Sequence, residues 1–120
     1  MSISNYAEKA LLNTLDGTSF SVANTYLQLH TGDPGEAGTS NVATESDRVA
    51  VTFGTATSGS LASSAAVTWT NEAANETVTH WSMWDASTGG NCLWYGSLSS
   101  SAALQAGDTF QITTLTLTLD

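Results

Sequence analysis

The sequence has little cysteine and little positive charge. Its 120 residues include one cysteine, Cys92, and two basic residues, Lys9 and Arg48, against eleven acids, for a net charge of −9. A single cysteine excludes an intrachain disulfide framework and a thiolate zinc site. The negative charge opposes contact with nucleic-acid phosphates and with anionic lipid headgroups, so we expect neither a nucleic-acid partner nor a membrane partner.

Long apolar runs are missing as well. The sequence contains no run of about 18 apolar residues, the length that would span a membrane. The N-terminal residues lack the basic start and apolar core of a secretory signal peptide. The length fits a single domain over residues 1–120. Hydrophobic residues make up 41% of the chain, which is enough for a core that needs no covalent or metal cross-links.

A helical period is found only in residues 3–15. Asn5 and Glu8 resemble a capping pair at the start, and Gly17 can adopt the left-handed conformation that ends a helix. One short helix is therefore predicted, and it must dock on another element because its apolar stripe is too small to form a core. The stripe consists of Tyr6, Ala7, Ala10, Leu11 and Leu15.

Beyond Gly17 the apolar period becomes two, which is typical of β-strands. The predicted strands cover residues 25–31, 48–53, 61–70, 77–85, 92–98 and 109–119. In the last of these the apolar parity changes between Ile112 and Leu115, which predicts a bulge or bend near Thr113 and Thr114. Short strands separated by turn sequences indicate an all-β fold, an antiparallel β-sandwich or jelly-roll-like domain with one short N-terminal α-helix.

The apolar faces of these strands define the predicted core. Residues 77–85 are apolar on both faces, so this strand is expected at the centre of a sheet. The predicted core residues are Leu27, Leu29, Val49, Val51, Phe53, Val67, Trp69, Trp81, Met83, Leu93, Phe110 and Leu117. An aromatic set could instead form a sugar-binding platform, although core packing is the preferred interpretation. That set is Trp69, Trp81, Trp84, Trp94 and Tyr95.

No residue pattern predicts a catalytic, cofactor or metal site. His30 and His80 have no partners at ligand spacing, and Cys92 follows a Gly-Gly turn, where a buried and inert thiol is the ordinary finding. Structural roles are expected for all three.

Residues 32–47 form the one long loop predicted, and loops of this length are often functional. Its acids could hold calcium through oxygen ligands, but their spacing does not match a calcium-binding loop, so a solvated acidic loop is the preferred interpretation. These acids are Asp33, Glu36, Glu45 and Asp47.

Four segments carry a resemblance to a known family. They are Leu27-Gln-Leu-His-Thr-Gly-Asp-Pro-Gly-Glu-Ala-Gly, Arg48-Val-Ala-Val-Thr-Phe, Thr79-His-Trp-Ser-Met-Trp-Asp-Ala-Ser-Thr-Gly-Gly-Asn-Cys-Leu, and Gly107-Asp-Thr-Phe before an alternating Leu/Thr tail. In this order they resemble small structural proteins of tailed-bacteriophage virions, which are often labelled tail-fibre proteins. The resemblance implies a protein without catalytic residues and without a cofactor.

The resemblance implies a structural protein at the virion surface, made in the host cytoplasm, and the acidic composition suits that position. The first expectation is a capsid decoration or cement subunit outside the head, bound to the major capsid protein as a symmetric homo-oligomer. The alternative is a tail-fibre or tail-tip subunit that joins other tail proteins and contacts the host surface.

A carbohydrate-processing enzyme is the third hypothesis, and the sequence disfavours it. Such an enzyme would need a pair of carboxylates at a cleft, and only Asp85 lies in an apolar sequence setting.

Attachment is expected through the helix and the long loop, because the β domain has enough apolar residues for its own core. The predicted partner contacts are Tyr6, Ala10 and Leu11 in the helix and Asp33, Pro34 and Glu36 in the loop.

Overall fold

The computed structural model describes residues 1–119 and contains nine short strands and one α-helix within that range. In chain order the elements are β1 (Ser2–Ile3), α1 (Asn5–Asn13), a 3-10 turn (Thr14–Asp16), β2 (Thr25–His30), β3 (Val49–Val51), β4 (Ser60–Ala62), β5 (Val67–Trp69), β6 (Glu76–Trp84), β7 (Cys92–Leu104), β8 (Phe110–Ile112) and β9 (Thr116–Thr118). No helix in residues 1–119 is long and apolar enough to cross a membrane.

All strand pairs are antiparallel. A five-stranded sheet has the order β1-β7-β6-β2-β3, and two smaller sheets pair β4 with β9 and β5 with β8. The strand predicted to be central, β6, lies in the middle of the larger sheet, and its residues Trp81, Met83 and Trp84 are all buried. The predicted fold class, an antiparallel all-β sandwich-like domain with one short helix, is confirmed.

The core lies between the larger sheet and the smaller ones. Most of the predicted core residues are buried, whereas Val49, Phe53 and Phe110 are partly buried and pack against its edge. Six further residues belong to the core and were not predicted there: Ala7, Ala43, Val78, Trp94, Leu104 and Leu115.

Two predicted strands are each divided in the structure. Residues 61–70 form β4 and β5, and residues 109–119 form β8 and β9, with the predicted bend at Thr113 confirmed. The breaks face one another, because the Ser63 amide donates to the Leu115 carbonyl (2.8 Å) and the Leu115 amide donates to the Ser63 hydroxyl (2.9 Å). These bonds hold the two breaks together. On one side of them β4 pairs with β9, and on the other side β5 pairs with β8.

The helix begins one residue earlier than the capping pair predicts. Ser4, not Asn5, is the N-cap: its hydroxyl accepts from the Ala7 amide (3.1 Å) and donates to the Cys92 carbonyl (2.6 Å). The α-helix ends at Asn13, two residues before the predicted end, and a 3-10 turn follows; Gly17 ends that turn in the predicted left-handed conformation, with a φ of 93°. The short β1 precedes the cap, so Ile3 belongs to the sheet and not to the helix.

Candidate functional site

The helix α1 rests on the β domain by its first turn and leaves its far end uncovered. The Ser4 amide donates to the Leu93 carbonyl of β7 (2.9 Å), which fixes the helix start to the sheet. Along the predicted stripe the exposed fraction rises from 3% at Ala7 to 36% at Leu11 and 85% at Leu15. The stripe therefore leaves the domain surface instead of lying along it.

The uncovered end of the helix forms part of a larger apolar surface, here called the helix-end patch. Its members all have exposed side chains and line one open groove: Met1, Leu11, Leu12, Leu15 and Leu119. Two exposed carboxylates, Glu8 and Glu36, also line this groove and are here called the acidic rim of the patch. The groove thus combines an apolar patch with two negatively charged side chains.

Of the three helix residues predicted as partner contacts, Leu11 belongs to this patch, whereas Ala10 and Tyr6 do not line its groove. Ala10 is half-buried, and Tyr6 is exposed while its ring meets Phe20 edge-on with centroids 6.4 Å apart. Leu12, which is 66% exposed, was not predicted as a contact because this residue lies off the helical stripe. Met1 and Leu119 were also not identified, since Met1 precedes the predicted helix and Leu119 ends a predicted strand of the β domain.

The three loop residues predicted as contacts are placed differently from one another. Pro34 is fully buried, so its side chain offers no surface to a partner. Asp33 is exposed and accepts a hydrogen bond from the Gly35 amide (2.9 Å). Glu36 is exposed as well, and its position at the rim of the patch connects the loop with the helix.

Glu36 joins three elements through its carboxylate. It accepts from the Asn5 amide at the start of α1 (2.8 Å) and from the Tyr95 hydroxyl of β7 (2.8 Å). A carboxylate at a helix N-terminus is favourable because the helix dipole is positive there. The hydrogen bond from Tyr95 to the charged Glu36 raises the pKa of the tyrosine, since the bond favours the protonated phenol.

The long loop is folded against the sheet. The Thr31 amide donates to the Asn41 carbonyl (2.8 Å), and the Ala43 amide donates to the Leu29 carbonyl (3.1 Å). Within residues 1–119 no group of three or more His, Cys, Asp or Glu side chains is placed to hold a metal ion. The structure therefore gives no support to the calcium interpretation.

Both candidate histidines make hydrogen bonds typical of structural residues. His30 is buried: its Nδ1 meets the Ser40 carbonyl (2.8 Å) and its Nε2 meets the Ser82 hydroxyl (2.7 Å), which also accepts from the Trp84 indole (2.7 Å). A carbonyl only accepts, so Nδ1 carries the proton and Nε2 accepts from Ser82. Burial lowers the pKa of His30 and favours this neutral form. His80 bonds the hydroxyl of the adjacent Thr79.

The cysteine and the tryptophans belong to the interior. Burial raises the pKa of the Cys92 thiol to about 11. The side chain therefore stays a thiol near neutral pH, whereas a cysteine nucleophile reacts as the thiolate. The four tryptophans are buried, which favours core packing over the sugar-binding platform; they are Trp69, Trp81, Trp84 and Trp94.

The family of the chain follows from comparison with known proteins. A family model described as "Podophage GP4 fiber I protein gp80" matches residues 2–120. The chain belongs to this Gp80 family. It is a bacteriophage structural protein of the fibre kind, in agreement with the resemblance found in the sequence. No curated protein matches the chain.

Proposed function

We propose that the protein is a non-catalytic fibre subunit at the surface of a phage particle and attaches to a neighbouring virion protein through the helix-end patch. The family description supports a fibre, which was the alternative reading of the sequence. Capsid decoration, the first expectation, remains a prediction that the same experiment tests. The observation that carries the attachment is the exposure of Leu12 and Leu15, at 66% and 85%, in a chain that buries most of its large apolar side chains.

The chemistry of the patch indicates the chemistry of its partner. Burying leucine side chains removes apolar surface from water, which is the main driving force of protein association. Glu8 and Glu36 at the rim favour a partner with lysine or arginine beside an apolar segment, because complementary charge directs encounter. A second copy of this chain fits less well, since each copy carries a net charge of −9. A homo-oligomer, expected from the sequence, would therefore use another surface.

The location of the protein in intact particles tests the proposal. Antibody fragments against the folded protein, imaged on purified virions by electron microscopy, should label the fibres, and quantitative mass spectrometry should give a copy number matching the number of fibres. Labelling spread over the head, with a copy number matching the capsid lattice, would establish the decoration role instead. Absence of the protein from purified virions would exclude both.

A further inference from the structure

Two glutamates lie close together where the chain enters β6: the buried Glu72, in the turn before this strand, and the half-buried Glu76, its first residue. Glu72 is 3% exposed, and neither of its carboxyl oxygens has a hydrogen-bond donor within residues 1–119. Its side chain contacts the carboxylate of Glu76. Each oxygen of the Glu76 carboxylate accepts one hydrogen bond from the long loop, Oε1 from the Thr44 amide (2.8 Å) and Oε2 from the Glu45 amide (2.9 Å), and each keeps a second lone pair.

The charged groups that act most strongly on Glu72 are all acidic. They are Glu76 from β6, Glu45 from the long loop and Asp108 from the turn before β8. The two basic residues of the chain lie elsewhere: Lys9 is on α1, and Arg48 donates to the carbonyls of Ala86 and Gly89. An ionised carboxylate buried without a donor and beside a second carboxylate is very unfavourable.

A proton between the two groups removes this conflict. A protonated carboxyl can donate one hydrogen bond, and the Glu76 carboxylate is the acceptor within reach. A bound cation would also neutralise the pair, but within residues 1–119 neither Glu45 nor Asp108 is placed to complete a metal-binding group with Glu72 and Glu76. The arrangement therefore favours the proton.

We propose that Glu72 is protonated in the folded protein and donates to Glu76, and that loss of this proton releases the long loop at residues 44–45. The pair is positioned to do so because it lies where three segments meet. Glu76 anchors the loop, while the Glu72 amide donates to the Asp108 carbonyl and the Gly107 amide donates to the Glu72 carbonyl, both at 2.8 Å. A second negative charge beside Glu76 would repel its carboxylate from the two loop amides.

The pKa values of the pair agree with this arrangement. Burial raises the pKa of Glu72 from 4.5 to about 8, assisted by the hydrogen bond to Glu76 and by the surrounding negative charges. Burial also acts to raise the pKa of Glu76, but the hydrogen bonds from Glu72 and from the loop backbone outweigh it and lower this pKa. The folded protein therefore holds one proton in the pair at neutral pH, whereas the unfolded chain holds none there.

The sign of the pH effect follows from linkage. Because the folded pKa of Glu72 is higher than its unfolded value of 4.5, folding takes up a proton between pH 4.5 and about 8. The stabilisation from this group is complete below pH 4.5 and is lost as the pH rises through about 8.

Chemical denaturation of the wild type and Glu72→Gln at several pH values tests the proposal. The glutamine amide can donate to Glu76 at every pH, so the ratio of the wild-type unfolding constant to that of the variant should rise about tenfold per pH unit across this window. The exposed Glu8→Gln is the matched control, and its ratio should stay constant. Parallel pH profiles for the wild type and Glu72→Gln would overturn the proposal.

Two direct measurements keep the test decisive if Glu72→Gln does not fold. In the wild type, the carboxyl carbon resonance of Glu72 should titrate with a midpoint near 8 by NMR, and a midpoint near 4.5 would refute the shared proton. Hydrogen-exchange protection of the Thr44 and Glu45 amides should fall above that midpoint, and unchanged protection would refute the release of the loop.

Divalent cations provide the final arm of the test. Adding calcium or magnesium at pH 8 should leave the stability of the wild type unchanged relative to Glu72→Gln. Stabilisation of the wild type alone would show that the pair binds a cation and would overturn the proton account.

Discussion

The guanidinium of Arg48 lies over the ring of Trp84, with its central carbon 3.8 Å from the ring centroid. The same guanidinium donates to the carbonyls of Ala86 (2.9 Å) and Gly89 (2.7 Å), so one cation closes the loop between β6 and β7. This position uses the planar shape of arginine, which stacks and donates at the same time.

Arg48→Lys should therefore destabilise the protein although it keeps the charge. An ammonium group cannot stack on Trp84 while donating to both carbonyls, so we expect a loss of about 1–3 kcal/mol in the free energy of unfolding. Equilibrium denaturation measures it. Lys9→Arg on the exposed surface of α1 is the matched control and should change stability by less than about 0.5 kcal/mol. Equal stabilities of the two variants would contradict this role for Arg48.

Trp81→Ala should cost about 3–5 kcal/mol, the usual range for removing a buried aromatic side chain. Trp81 is 3% exposed in the central strand. The denaturant midpoint of the variant should fall accordingly, while Tyr6→Ala, at a side chain that is 44% exposed, should lose much less. An unchanged midpoint for Trp81→Ala would place this residue at the surface and revive the sugar-binding interpretation.

Leu12→Asp and Leu15→Asp should prevent attachment without unfolding the domain. Both side chains are exposed in the free protein, so the new carboxylates stay in water there but would be buried without a partner in the complex. Incorporation into particles is measured by immunoblotting virions purified from cells that supply each variant. Val42→Asp, at an apolar residue 40% exposed in the long loop, is the control and should be incorporated normally. Normal incorporation of both leucine variants would exclude the helix-end patch.

Raising the salt concentration should leave most of the protein on the particle. The five patch residues are apolar, and exposed ion pairs to the acidic rim contribute only about 0–1 kcal/mol each. Virions washed in increasing salt and then sedimented should retain the protein as judged by immunoblotting. Release by moderate salt alone would show that charge, and not apolar burial, holds it.

Acidification should destabilise the protein through His30. Burial lowers the folded pKa of His30 below its usual value of 6.5, so the unfolded chain binds the proton first as the pH falls. The stabilisation from neutral His30 is present above pH 6.5 and decreases below it. Denaturation at several pH values measures the unfolding constants. The Glu72 proton acts in the opposite direction over part of this range, so variants are compared with the wild type, where that contribution cancels. The ratio of the wild-type unfolding constant to that of His30→Gln should rise as the pH falls below 6.5, and more steeply than the ratio of the wild type to His80→Gln. Equal pH dependence of the two ratios would contradict this role for His30.

Periodicity predicted the fold class because it reports local geometry. Apolar residues on both faces of residues 77–85 identified the central strand, and the parity change before Leu115 identified the bend at Thr113. The division of residues 61–70 was not predictable in this way, because it depends on the bonds between Ser63 and Leu115, which are remote in sequence. The same holds for the Ser4 cap, whose hydroxyl also bonds the carbonyl of Cys92.

The candidate site was predicted in part for a similar reason. The helical stripe located Leu11, but it could not show that the helix leaves the domain surface, since that depends on where α1 docks on β7. Glu72 lies in a polar turn sequence that gave no reason to expect burial. Its environment comes from Glu45 and Asp108, which only the folded chain brings near it.

The composition of the helix-end patch also bears on quality control during particle assembly. Its members come from both ends of residues 1–119: Met1 precedes the first strand and Leu119 follows the last. A chain that has formed α1 but not yet paired β9 with β4 would present only a partial surface. Attachment through this patch would therefore select folded copies over misfolded ones at the moment of incorporation.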